Sequence, residues 1–86
     1  MIEEFIKYLK KYKKSQKTIS LYTNVVEEFE KWYNENHNCE LRRLKKSDLI
    51  EFEKYLEHNK HYKLSTIKVK ISILLQFSIF LLYYYV

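Results

Sequence analysis

The chain of 86 residues contains no glycine and no proline, and only one cysteine. Two-residue hairpins, phosphate-cradling loops and dinucleotide fingerprints are all built on glycine, so none of them is expected. An all-α chain is favoured instead, with helix ends closed by Asn, His and Lys in short polar turns. With Cys39 alone, an intrachain disulfide and a cysteine-based zinc site are both excluded. No signal peptide is legible, because the N-terminus is an acidic amphipathic segment, and a reducing cytoplasm is the expected setting. Charge is missing too: residues 71–86 carry none, and Lys7 to Thr18 hold six lysines and no acid.

Hydrophobic residues make up 47% and charged residues 31%, which suits a globular rather than a disordered chain. The length allows one domain, residues 1–86, with one modest core. The net charge of +5 is unevenly spread: +4 over residues 1–20, −4 over 21–40, +2 over 41–60 and +3 over 61–86. A solvated lysine-rich surface would account for the first block, and so would an anionic partner.

The stretch from Ser65 to Leu81 organises the rest. Ile67, Ile71, Leu74, Phe77 and Leu81 recur at helical spacing and form one apolar side. Ser65, Lys68, Ser72 and Gln76 form a polar stripe on the other, with no acid among them. Ser65 or Thr66 is expected to cap this helix. An acid-free helix N-terminus of this kind suits phosphate.

The same spacing predicts three earlier helices. The first covers about residues 2–12, with Ile2, Phe5, Ile6, Leu9 and Tyr12 on one face. The second starts at Ser15, a good N-cap, and runs to about Asn34. It buries Ile19, Tyr22, Val26, Phe29 and Tyr33, with Val25 and Trp32 flanking. Its outer face begins with Lys17, Ser20, Thr23 and Asn24 and turns acidic at Glu27, Glu28 and Glu30, so only its first two turns could lie against a polyanion. A polar loop, Asn34 to Glu40, leads to the anchors Leu41 and Leu44. The third helix covers about Lys46 to His58, burying Leu49, Phe52 and Leu56, with Lys45 or Ser47 as cap. His58 and His61 are three apart, but no third ligand stands at a diagnostic spacing, and a solvated loop is preferred to a metal site.

Beyond the core stripe of the last helix, Ile73, Leu75, Ile79 and Phe80 are expected to be uncovered. The uncharged segment of 16 residues would span about 24 Å as a helix, short of the ~20 residues a bilayer needs. Cover by a further domain or a partner protein is therefore expected, and no membrane. The second and fourth helices also echo one another. Thr18-Ile19 and Thr66-Ile67 open them, and Val26, Phe29, Trp32 and Tyr33 keep step with Leu74, Phe77, Phe80 and Leu81.

Five segments together resemble the N-terminal core-binding, SAM-like domain of the tyrosine recombinases, the phage-integrase family. They are F-I-K-Y-L at Phe5, S-Q-K-T-I-S-L-Y at Ser15, F-E-K-W-Y at Phe29, L-K-K-S-D-L-I-E-F-E-K-Y-L at Leu44 and T-I-K-V-K-I-S-I-L-L-Q-F-S-I-F-L at Thr66. The chain departs from the family pattern at Lys45, Lys63 and Lys68, where Thr or Ser, Ser and Asn are usual.

The resemblance implies a compact four-helix bundle of two crossed hairpins that forms one half of a clamp on double-stranded DNA. The N-terminal ends of helices two and four would meet the duplex. By position that points to Lys17, Thr18, Ser20, Asn24, Ser65, Thr66, Lys68 and Ser72, with Lys14, Lys63 and Lys70 flanking. Other implied partners are the catalytic domain of a parent recombinase and neighbouring recombinase subunits. The catalytic Arg, His and Tyr would lie in that separate domain. No His-x-x-Arg occurs here, Tyr83 to Tyr85 look like the end of a helix, and no cofactor is expected. The competing reading is a protein-interaction module that docks through the apolar C-terminal helix. An enzyme is a distant third, since Asp48, Glu51 and the histidines form no nucleophile–base–orienter set.

Overall fold

A computed structural model describes residues 2–37 and 39–85 of the chain. Four helices follow in order: α1 Ile2–Lys11, α2 Gln16–Asn36, α3 Lys46–His58 and α4 Leu64–Tyr84. Acids open α1 and α3 (Glu3 and Glu4; Asp48), where a carboxylate interacts favourably with the helix dipole. The first turns of α2 and α4 hold none.

Ser15 caps α2 as its sequence predicts, with its hydroxyl oxygen accepting from the Thr18 N–H at 3.2 Å. α3 is capped in reverse. Lys45 has no acceptor to offer, and Asp48 reaches back so that its carboxylate accepts from the Lys45 N–H at 3.0 Å. α4 corrects the expected cap: the helix starts at Leu64 behind Lys63, so Ser65 and Thr66 lie inside its first turn. Lys63 has the backbone shape of an N-cap, but no side-chain hydrogen bond closes that end.

Phe5, Leu9, Val26, Phe29, Phe52, Leu56, Leu74, Phe77 and Leu81 are the most deeply buried side chains. Ile73 and Phe80, expected to be uncovered, are core residues, because α4 packs against α1 and α2 as well as α3. Phe80 lies 5.2 Å from the rings of both Phe5 and Tyr8. Leu75 and Ile79 are half exposed, as expected. By length and apolar composition α4 could cross a membrane, a property it shares with the core helices of water-soluble bundles.

The echo between α2 and α4 extends to the whole hairpins. Both helices are 21 residues long. The buried set of α2, Ile19, Val25, Val26, Phe29, Trp32 and Tyr33, recurs 48 residues later as Ile67, Ile73, Leu74, Phe77, Phe80 and Leu81. Phe5 and Leu9 of α1 correspond likewise to Phe52 and Leu56 of α3. The ring contacts repeat as well. Phe5 meets Phe77 edge-on at 5.0 Å, and Phe52 meets Phe29 edge-on at 5.1 Å. Phe5–Phe80 and Phe52–Trp32 are both 5.2 Å, tilted by 53° and 51°. Each hairpin turns through one left-handed residue, Lys13 (φ 57°) and His61 (φ 55°). Glycine would sit there without strain, and the glycine-free chain uses Lys and His instead. The bundle is thus two similar αα-hairpins, α1–α2 and α3–α4, related by an approximate two-fold axis.

Candidate functional site

The two acid-free helix ends expected to carry function are both accessible. Lys14, Lys17, Ser20 and Asn24 at the start of α2 are exposed, as are Lys63, Ser65, Thr66, Lys68 and Ser72 at the start of α4. Thr18 is half-buried, and its hydroxyl accepts a hydrogen bond from Ser15 at 2.9 Å. At the tip of α4 the N-cap residue Lys63 makes no side-chain hydrogen bond to the first-turn N–H groups, whose partial positive charge suits an anion.

Lys70 differs from the other lysines. Its ammonium donates to Glu28 Oε1 at 2.6 Å, with both side chains largely buried, and lies 4.7 Å over the Tyr62 ring. The Tyr62 hydroxyl donates to the other Glu28 oxygen at 3.0 Å, a bond that holds its proton above the usual tyrosine range. Lys70 therefore cross-links α2 to α4, and the Glu28 carboxylate is neutralised in the process. Of the remaining acids on α2, Glu30 is half-buried and burial pushes its carboxyl up, while Glu27 is exposed.

The first halves of α2 and α4 come together. Leu21 and Tyr22 of α2 share one shallow groove with Lys68, Val69, Ser72 and Ile73 of α4. Lys68 and Ser72 form a ridge, because they also line the groove between α3 and α4 with Glu53, Leu64 and Leu75. On the other side, Ser20 and Asn24 line the matching groove between α1 and α2 with Ile6, Lys10 and Gln16. Leu21 and Val69 have no place in the sequence-based site, yet they sit in the central groove, 47% and 50% exposed. The signal that would have found them is the 48-residue echo, which pairs them outside both core stripes.

A second polar cluster lies where α2 ends and α3 begins. The buried Tyr33 hydroxyl is 3.4 Å from Cys39 Sγ, and that bond, with burial, pushes the phenol up to about 12. His37 stacks on Tyr33 at 4.2 Å, with Nε2 4.0 Å from the buried Asp48 carboxylate. These groups tie the loop to both helices. Among the described residues no three of His, Cys, Asp and Glu are placed to hold a metal. Tyr83 and Tyr84 end α4 and Tyr85 is its C-cap, with its hydroxyl 3.5 Å from Glu40 and its ring under Arg42 at 5.8 Å.

Comparison with known proteins agrees with this architecture. Residues 2–83 match the family described as phage integrase, N-terminal SAM-like domain. A protein named TnP I resolvase from Bacillus thuringiensis is 30% identical over 80 residues, which is 93% of this chain and 28% of that protein. The chain thus spans under a third of the relative it matches. No solved structure matches it.

Proposed function

The chain belongs to the phage integrase N-terminal SAM-like domain family, and on that footing we propose that it is the non-catalytic DNA-binding domain of a site-specific tyrosine recombinase. It would form one half of a clamp on duplex DNA, the other half being the catalytic domain of the parent protein. The observation that carries this reading is that the first halves of α2 and α4, two helices with no acid in their first turns, line one groove bordered by Lys68 and Ser72. Lys14, Lys17, Lys63 and Lys68 neutralise phosphates, and the hydroxyls of Thr18, Ser20, Ser65, Thr66 and Ser72 and the first-turn N–H groups fix the register. One or two base edges are read by Asn24 or Lys68. Lys70 contributes through its tie to Glu28, which removes a negative charge from this face.

Phosphate contact makes binding depend on salt, because each neutralised phosphate releases counterions. With roughly five phosphates met, log K falls against log salt with a slope of about −4 to −5. Lys17→Ala and Lys68→Ala should each reduce that slope by about one, with similar losses on unrelated duplex sequences. Amide shifts should concentrate in residues 17–24 and 65–72. A flat salt response, or shifts confined to other segments, would refute the reading.

A second reading rests on the exposed apolar residues Leu75, Ile79, Leu82 and Tyr83 along α4, which suit a protein contact such as a neighbouring recombinase subunit. Phe80 cannot test it, being core. Ile79→Glu is the informative change: loss of concentration-dependent association with DNA binding retained would place subunit contact there, and association without any DNA affinity would favour this reading alone.

A further inference from the structure

The central groove holds two side chains that phosphate binding does not explain. Leu21 and Val69 are the same position of the two hairpins and are almost equally exposed, at 47% and 50%. Around them the paired positions are polar: Lys17 with Ser65, Ser20 with Lys68, and Asn24 with Ser72. Five of these six neighbours are serine or lysine, neither helix start bears an acid, and Glu28 is neutralised by Lys70. The charge therefore fits a polyanion better than an apolar protein surface, and the apolar pair must find its partner on that polyanion.

We infer that the approximate two-fold axis of the bundle lies on a local two-fold axis of the duplex, with Leu21 and Val69 at its centre against thymine methyl groups in the major groove. This rests on the DNA-binding reading above. The strands of a duplex are antiparallel and are related by two-fold axes, so a two-fold protein surface can meet both in equivalent ways, as symmetric operators show. Two packed helices are about 20 Å across, from their 8–10 Å separation and ~10 Å diameters, and the major groove is only about 12 Å wide. The pair cannot enter the groove and must straddle it. The outward ridges Ser20–Asn24 and Lys68–Ser72 then line the two walls of the groove, where Asn24 and Lys68 meet the outer base edges, and the central residues face the bases between them. There the apolar feature open to Leu and Val is the C5-methyl of thymine.

The test compares the 86-residue chain on alternating poly(dA-dT) and poly(dA-dU), which differ in that methyl, at one salt concentration. Each buried methyl is worth about fourfold in affinity, so the thymine duplex should bind about four- to sixteenfold tighter. Leu21→Ala and Val69→Ala should each remove a similar part of that preference, and the double variant nearly all of it, with the salt slope unchanged. Both positions are half exposed on helices, and alanine is a good helix former, so the variants keep the fold. Methylating cytosine at C5 in poly(dG-dC) should raise the affinity of the unsubstituted chain and leave the double variant unaffected, which separates methyl contact from duplex shape. Equal binding to both A-containing duplexes with a normal salt slope overturns this inference and leaves the DNA reading intact. Loss of the preference in only one of the two single variants overturns the two-fold placement. Absence of salt-dependent binding to any duplex overturns the DNA reading itself.

Discussion

The two hairpins bury corresponding residues and expose different ones. α2 and α4 are equally long, and the two hairpins share ring contacts and turn geometry where side chains interlock, because close-packed interiors tolerate few changes in shape. Their surfaces have diverged. The first hairpin carries the densest run of lysine and an acidic second half, and the second ends in an uncharged, half-exposed apolar stripe. Packing fixes what the halves share, and charge and capping decide what each half can do.

Breaking the shared interior should have the largest effect, and the same effect in both halves. Phe29 and Phe77 are corresponding residues with no exposed surface, each meeting a ring of the opposite hairpin edge-on. Phe29→Ala and Phe77→Ala should each cost about 3–5 kcal/mol in urea unfolding, much of what a domain of this size possesses. Costs differing by more than about 2 kcal/mol would mean that the likeness in geometry is not a likeness in energy.

The next difference lies between the helices. The Glu28–Lys70–Tyr62 link has no counterpart in the other half, where the corresponding positions are Gln76, Tyr22 and Lys14. Lys70→Met removes one partner of a largely buried pair and leaves Glu28 with only the Tyr62 hydroxyl, so a loss of about 1–3 kcal/mol is expected in the same unfolding experiment. Because the variant also leaves the Glu28 carboxylate without its ammonium partner, DNA affinity should fall even if Lys70 itself meets no phosphate. Unchanged stability would show that the pair is no better than an exposed one.

Much of this was legible in the sequence because apolar spacing reports directly on one-sided burial. The four helices, the Ser15 cap and the α2–α4 echo all came from spacing and side-chain chemistry. Phe80 and Ile73 were missed because the stripe argument assumes that a helix has one buried side. α4 is covered by three neighbours, which no local pattern announces. The cap of α4 was missed for a different reason: hydroxyl residues are the usual signal, and Lys63 holds the cap backbone without supplying an acceptor. Of the candidate site, the polar ridges were visible as a stripe. Leu21 and Val69 hold one position of the echo outside both core stripes, but that they share a groove follows from how the hairpins cross.

Tyr33 against Leu81 gives a pH test of the asymmetry. Both are buried at corresponding positions, but only Tyr33 has a proton to hold, and it holds it to about pH 12 in the fold against about 10 when unfolded. A raised phenol stabilises the fold fully below pH 10, and that contribution drains away as pH rises from 10 to 12, where the unfolded chain has already released its proton. Stability measured across that window should fall, and Tyr33→Phe should flatten the fall. Cys39→Ala, which removes the hydrogen bond to the phenol, should flatten part of it. An equally steep decline in Tyr33→Phe would assign it to other tyrosines.

The smallest effect is the most direct comparison, because it converts one helix tip into the other. Ser15 and Lys63 hold nearly the same backbone conformation, φ −66°, ψ 157° and φ −63°, ψ 150°. Each stands three residues before a threonine, Thr18 and Thr66. Ser15→Ala should cost about 1 kcal/mol by leaving a first-turn N–H without its acceptor. Lys63→Ser should do the reverse, giving α4 the acceptor it lacks and a gain of about 0.5–1 kcal/mol in unfolding free energy. The same change removes a cation and covers an open N–H, so the salt slope for duplex DNA should drop by about one. A tip that becomes more stable while binding more weakly would mean that the missing cap serves binding at the expense of the fold. If Lys63→Ser instead gained stability with the salt slope intact, the open end of α4 would be only an imperfect cap, and the grip on phosphate would have to come from Lys68 and the tip of α2.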